Sequence, residues 1–300
     1  MAFNNYDELF MQIKESKKIN RVAVVGAEAV HALEAVIEAK DEGFVDPILF
    51  GDKDTIRNNL VTLGQEPDKY KVEDCRDIDE AAEKAIVAVK ENLVDSMMKG
   101  QIETAVLMKH MLNKETGIKQ GNVVHSVNVA KIETYHKPLA STDAAILITP
   151  TLEQKKKMIE NTVSMLIKMG WEKPKVAILS AVEVSNEKIP GNQDAYLLSK
   201  MWKEGKIKRC IVEGPMAFDL VISKEAAKLK KIKSEVAGDA DIAIFPDLNS
   251  GNIATKVITM TGNNRAGSVI LGLKCPIVMS SRGVSSGHKY RSLLLATALI

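Results

Sequence analysis

Three hundred residues, 45% hydrophobic and 27% charged, suffice for one large core or two moderate ones, and an α/β chain of this length is expected to form two. The 41 basic and 39 acidic residues leave a net charge of +2, and only 4% of residues are aromatic, so the chain offers neither the basic field nor the stacking ladder of a nucleic-acid binder. No apolar run reaches the ~20 residues of a membrane span, and residues 1–18 mix acids and bases at helical spacing where a signal peptide needs a basic start and an apolar block, so a cytoplasmic protein is expected.

Leu9, Phe10 and Ile13 share one face of a helix predicted over residues 6–16, and residues 19–26 then switch to the strand-like run Arg21-Val-Ala-Val-Val-Gly26. Helices over 27–42, 52–63, 79–92 and 104–112 alternate with strands over 46–51, 70–75 and 96–100, an order that predicts a parallel sheet. Between residues 121 and 148 the texture changes to β-type runs, 123–132 and 144–149, which places a domain junction near here. Helices over 152–169 and 193–204 then alternate with strands over 175–179 and 210–214. Residues 223–233 form a basic amphipathic segment whose lysines read as a solvated face. Residues 267–273 read as a helix end, 276–279 as a strand and 289–299 as the last helix. The expected domains are 1–135 with 284–300, and 136–283.

Two turns stand out. The stretch Phe245-Pro-Asp-Leu-Asn-Ser-Gly-Asn-Ile-Ala-Thr-Lys256 follows the apolar run 240–245 and leads into a helix over 253–260. Pro246 and Asp247 end the strand, Asn249, Ser250 and Gly251 allow a tight turn, and Ser250 or Asn252 is the candidate helix cap. Amides at such a turn, with Lys256 beyond, suit a phosphate or a thioester oxygen, although an ordinary capped turn has the same composition. The second turn is Ser280-Ser-Arg-Gly283, where the Arg282 guanidinium can bind phosphate through two parallel hydrogen bonds. Open α/β sheets place ligands in the crevice at strand carboxyl ends, and both turns sit at such ends.

Other signatures are missing. Gly26 stands alone where a dinucleotide fingerprint needs three glycines, and there is no P-loop, nucleophile elbow or HExxH. Cys75, Cys210 and Cys275 are far apart and odd in number, which fits core thiols and neither a disulfide framework nor a zinc site. His31, His110, His125 and His136 are expected to be surface or packing residues; His288 differs in standing seven residues after Ser281.

The segments Lys99-Gly-Gln-Ile-Glu-Thr-Ala105, Ile189-Pro-Gly-Asn192, Glu213-Gly-Pro-Met-Ala-Phe-Asp-Leu220, Val236-Ala-Gly-Asp-Ala-Asp-Ile242, the 245–256 turn and residues 276–283, in this order, resemble the phosphate acetyl/butyryltransferase family, most closely its butyryl-type members. The resemblance covers nearly the full length. It implies two α/β domains with the active site in a cleft between them, the fold shared with isocitrate and isopropylmalate dehydrogenases, and a homodimer. It also implies reversible transfer of an acyl group between coenzyme A and inorganic phosphate, by attack of the coenzyme A thiolate on an acyl phosphate in a ternary complex. Coenzyme A is then a substrate, and neither a bound cofactor nor a metal is needed. Carried over by position, Ser281 would hydrogen-bond the reacting carbonyl or the thiol and Arg282 would bind the phosphoryl group. Asp247, Asn249 and Gly251 would wall the acyl phosphate site, with Asn252 and Lys256 nearby, and Thr104 would bind substrate from the first matching segment. His288 stands where acetyl-specific members place an aspartate base, and an imidazole has a suitable intrinsic pKa for that task. Butyryl or branched acyl groups are favoured over acetyl, with Met216, Phe218 or Met279 as candidates for setting pocket width. A catalytically silent binding protein on the same scaffold is the reading from another functional class.

Overall fold

A computed structural model of the chain describes residues 2–120, 123–280 and 283–300. The chain divides into two compact units, one of Asp7–Val124 with Gly267–Ile300, here the flanking unit, and one of Met1–Tyr6 with His125–Ala266, the inserted unit. In chain order, α1 (Tyr6–Ser16), β1 (Asn20–Val25), α2 (Val30–Asp41), β2 (Val45–Gly51), α3 (Lys53–Thr62), β3 (Lys71–Asp74), α4 (Ile78–Lys90), β4 (Ser96–Lys99) and α5 (Thr104–Met111) begin the flanking unit. The inserted unit runs through β5 (His125–Lys131), β6 (Leu139–Thr142), α6 (Leu152–Lys168), β7 (Lys175–Leu179), α7 (Asn192–Lys203), β8 (Ile211–Met216), α8 (Phe218–Ile222), α9 (Lys224–Leu229), β9 (Ile242–Ile244) and α10 (Leu248–Met260). Then β10 (Arg265–Leu271), β11 (Ile277–Val278) and α11 (Ser286–Ala298) complete the flanking unit.

The flanking sheet has the order β3-β2-β1-β4-β11-β10, parallel except for β10, which runs antiparallel to β11. Its direction of growth reverses between β1 and β4, so the loops that follow those two strands meet at a switch point. They meet without side chains between them: Gln101 N–H donates to the Gly26 carbonyl at 2.6 Å, and a Cβ on Gly26 would lie 2.8 Å from the Gln101 backbone. Strands buried on both faces read as continuous apolar runs, and all of β4 and all but Arg21 in β1 are buried. At the other end of these strands, buried Asn20 accepts from Ser96 Oγ at 2.8 Å and donates to Thr297 Oγ1 at 3.2 Å, pinning α11 to β1 and β4.

The inserted sheet has the order β5-β6-β9-β7-β8, parallel except for the β5–β6 hairpin. Its core gathers Tyr135, Leu139, Ala177, Met216, Leu220, Val236 and Phe245, with Phe218 packed against it. The Tyr135 hydroxyl donates to the Ala240 carbonyl at 2.7 Å.

Three local expectations change. Residues 267–273 are not a helix end: 265–271 form strand β10, and Gly267 lets its backbone pass close to that of Arg291 and Ser292 on α11, where a Cβ would lie 2.8 Å away. Residues 144–149 are not a strand, because the amides that would pair in a ladder turn inward onto the Asp143 carboxylate, and the strand lies earlier, at β6. The helix expected over 253–260 starts at Leu248, and its cap is Asp247, which accepts from Ser250 N–H at 2.9 Å, instead of Ser250 or Asn252. The boundaries expected at 135 and 283 also differ from the observed division. A cut at 135 would part β5 from its hairpin partner β6, and a cut at 283 would take β11 away from β4. Cys75, Cys210 and Cys275 are buried free thiols, and among the described residues no helix is long and apolar enough to cross a membrane.

Candidate active site

In the inserted unit, the carboxyl ends of β6, β9 and β7 lie side by side, and each is followed by a loop built around one polar group. After β6, buried Asp143 collects the N–H groups of Ala145, Ile146 and Leu147 at 2.9, 3.3 and 2.8 Å, together with the Ser126 hydroxyl and N–H. After β7, fully buried Asn192 donates to Ser180 Oγ at 2.8 Å and accepts from Asn186 N–H at 2.7 Å, closing the loop that carries Ile189-Pro-Gly. Gly191 rests on Pro246, and a Cβ there would come within 2.7 Å of the proline ring.

Between these loops β9 ends in Phe245-Pro246-Asp247 and α10 begins. Gly251 is buried against the Asp143 carbonyl so closely that any Cβ would overlap it, and Asn252 Nδ2 donates to the Ala144 carbonyl at 3.0 Å. The start of α10 is thus held from behind by the Asp143 loop, with Leu248 N–H donating to the Ile148 carbonyl at 2.9 Å and Ser250 N–H to the Asp247 carboxylate at 2.9 Å. Asn249, Asn252 and Lys256, at i, i+3 and i+7, share one face of the helix, with Asn249 and Lys256 exposed. The structure therefore brings together the five inserted-unit candidates, Asp247, Asn249, Gly251, Asn252 and Lys256. Asp247 acts as the helix cap. Met216 is a core residue, 3% exposed.

The segment Val236–Ile242 has a different job. It lies at the opposite end of β9, where Asp239 pairs with Lys175 at 2.6 Å and Lys137 at 3.1 Å, and Asp241 accepts from the Trp171 indole at 3.0 Å and Lys175 N–H at 2.8 Å. Asp219, another carboxylate of the matching segments, pairs with Lys230 at 2.9 Å.

In the flanking unit, Thr104 is the exposed first residue of α5, just after the Gly26–Gln101 crossing. His288 lies in the first turn of α11, with Nε2 3.3 Å from Ser268 Oγ. Burial first, then the charges of Arg291 and Lys289, push its pKa down to about 4, so the imidazole is neutral at pH 7 and a weaker base than its spacing from Ser281 suggests. Ser281 and Arg282 lie outside the described residues. His125, expected as a packing residue, is fully buried between Thr142 Oγ1 at 2.8 Å and Asn161 Nδ2 at 3.3 Å, and burial lowers its pKa. His31, His110 and His136 pair with Glu34, Asp79 and Asp239. Among the described residues no group of three or more His, Cys, Asp or Glu side chains is placed to hold a metal ion.

Asp143 and Asn192 are the site-building residues that pattern reading misses. An Asp directly after a short apolar strand, as in Leu139-Ala-Ser-Thr-Asp143, is the signal that would have found the first.

The family model for phosphate acetyl/butaryl transferase matches residues 76–297. The chain belongs to that family. It is 38% identical over 292 residues to the phosphate butyryltransferase of Clostridium acetobutylicum, covering 97% of both chains. It is 42% identical over 279 residues to the phosphate acetyltransferase of Thermotoga maritima, covering 93% of this chain and 95% of that one. Among solved structures, a branched-chain phosphotransacylase from Enterococcus faecalis superposes with a TM-score of 0.84 at 29% identity, over 93% of this chain and 98% of the other. A 4-hydroxythreonine-4-phosphate dehydrogenase from Klebsiella pneumoniae shares the fold alone, with a TM-score of 0.61 at 13% identity over 94% of this chain and 100% of that one. This phosphate acyltransferase thus has the dehydrogenase-like α/β fold expected from its sequence.

Proposed function

We propose that the chain catalyses acyl-CoA + phosphate = acyl phosphate + CoA, with butyryl or branched acyl groups preferred. The observation that carries this reading is coverage: relatives named for phosphate butyryl and acetyl transfer match nearly the whole chain, the Phe245–Lys256 turn included. Starting from acyl phosphate and coenzyme A, the coenzyme A thiolate attacks the carbonyl carbon of the acyl phosphate. The C–S bond forms, the C–O bond to phosphorus breaks, and phosphate leaves with the electron pair. Arg282 neutralises charge gathering on the phosphoryl oxygens, and Ser281 donates to the carbonyl oxygen as it becomes an oxyanion, an effect worth about 2.7–4 kcal/mol per donor in a model hydrolase. The α10 turn, with Asn249 and Lys256 exposed, is the substrate-facing element of the inserted unit. His288, with its pKa near 4, contributes as a neutral hydrogen-bonding imidazole. A thiol of pKa about 8.5 is already partly ionised near neutrality.

Coenzyme A acts as substrate with no resident cofactor, the protein works in the cytoplasm, and it forms a homodimer. The row Ile253, Val257 and Met260, exposed at 64%, 55% and 81% on one face of α10, supports the last point as an apolar surface for a second copy. Phosphate-dependent thiol release from acetyl-, propionyl-, butyryl- and isobutyryl-CoA tests the whole reading. Turnover is expected to be highest with a four-carbon acyl group and to fall at least ~100-fold in Arg282→Ala. A preference for acetyl-CoA would make the protein a phosphate acetyltransferase, as the 42% relative is named. No release from any substrate would leave a binding protein.

A further inference from the structure

In the inserted sheet β9 lies between β6 and β7, so the α10 turn that follows β9 has a neighbouring loop on either side. On the β6 side Gly251 abuts the Asp143 carbonyl, and on the β7 side Gly191 rests on Pro246. These two outer loops lead into α6 and α7, whose first turns are joined by an ion pair that the reaction above does not use: Lys155 Nζ donates to Asp194 Oδ2 at 2.7 Å. The same ammonium lies 3.7 Å from where a Cβ on Gly191 would stand, and so beside the contact of Gly191 with Pro246. The contacts close a ring. It runs from the α10 turn to the Asp143 loop, into α6 at Lys155, through Asp194 to Gly191, and by way of Pro246 back to the α10 turn.

Stability alone is a poor reason for a lysine at this position. Its side chain is 3% exposed, and burying an ammonium costs free energy. It also stands in the first turn of α6, where the helix macrodipole disfavours a cation. A buried ion pair is often no more stabilising than apolar side chains of similar volume. What a short charge-assisted hydrogen bond does supply is a fixed separation between the two elements that carry it. Here those elements are the helices that follow the two loops flanking the α10 turn.

We infer that Lys155 and Asp194 are positioning residues for acyl transfer: their ion pair closes the ring that holds the α10 turn, and it acts on the reaction through that turn. The inference rests on the proposed acyl transfer and deepens it.

The double variant Lys155→Met with Asp194→Leu replaces the pair by apolar side chains, and it avoids the buried unpaired ammonium that Asp194→Asn leaves behind. Thiol release is measured with phosphate varied at saturating butyryl-CoA, far below the unfolding transition of both proteins. A kcat/KM for phosphate at least about tenfold below that of the wild type is expected, because a displaced turn slows every folded molecule. A kcat/KM within twofold of the wild type, with a loss confined to the urea midpoint, overturns the inference and leaves the pair a structural contact. If the double variant does not fold, Asp194→Asn decides on the same readout. Failure of the underlying reading is distinguishable, since the wild type would then release no thiol. The positioning role is in that case judged by hydrogen exchange. Faster exchange at the amides of residues 248–251 in the variant, with the strands of the inserted sheet as protected as in the wild type, supports it, and equal exchange at the turn overturns it.

Discussion

Gly251 shows how much of the site hangs on one missing methyl group. The glycine is needed because α10 starts directly against the Asp143 carbonyl, and Asn252 then ties the next residue to Ala144. Gly251→Ala has to push the helix start away from the Asp143 loop, and an overpacked contact of this kind costs about 1–3 kcal/mol. A lowered urea midpoint and a raised phosphate KM are expected together; wild-type values for both would show that the helix start is not what holds the turn. The sequence marks Gly251 as a turn residue, but the reason for it lies more than a hundred positions earlier, at Asp143, where no local pattern can point to it. His288 shows the converse. The cations that depress its pKa, Lys289 and Arg291, are legible one and three residues away, yet spacing says nothing of the burial that is the larger cause.

Among elements, the flanking sheet is secured at one end by a clamp of three side chains. Asn20 on β1 bridges Ser96 on β4 and Thr297 on α11, all buried. Asn20→Ala strands the Ser96 hydroxyl, at about 1–3 kcal/mol for a buried group left unsatisfied, and also removes the bond to Thr297, whose hydroxyl keeps its bond to the Leu293 carbonyl, so it is expected to lower the urea midpoint more than Ser96→Ala, which removes one bond. Equal losses would mean that water replaces the asparagine. Regular elements with a clear period, such as β1 and α4, are legible in the sequence because their burial pattern is local. The run Gly267-Ser-Val-Ile-Leu271 has no such period, and it is pairing with distant strands, β11 among them, that makes it a strand. Residues 144–149 carry the apolar side chains of a strand, but a buried carboxylate offers their amides a stronger partner than a ladder does.

For the molecule as a whole, two histidines that stay neutral when folded set the response to mild acid. His125 in the inserted unit and His288 in the flanking unit both have pKa values lowered by burial, the latter to about 4. The unfolded imidazole titrates near 6.5, so below that pH the unfolded chain binds protons that the folded one refuses. Their contribution is fully present above about 6.5 and is lost as pH falls toward the folded pKa, by up to roughly 1.4 kcal/mol per pH unit for each group. Urea midpoints measured between about pH 7 and pH 4.5 are expected to decline, and to flatten in His125→Asn and again in the double variant with His288→Gln. A decline unaltered by both substitutions would place its origin elsewhere. The change of texture that the sequence shows after residue 121 falls close to the observed division at Val124, whereas the return at Gly267 lies inside β10 and leaves no compositional trace.

The division of the chain also orders its synthesis. Once Ala266 has left the ribosome, every residue of the inserted unit exists and that unit can fold. The flanking sheet cannot close, because β11, the neighbour of β4, is still unmade. During that interval Ser96-Met-Met-Lys99, paired with β1 alone, is an apolar strand with one edge open, the kind of edge that pairs with other chains. The nascent protein is most exposed to aggregation just before its last strand emerges, and the segment that ends the exposure is the one that carries Ser280, Ser281 and Arg282.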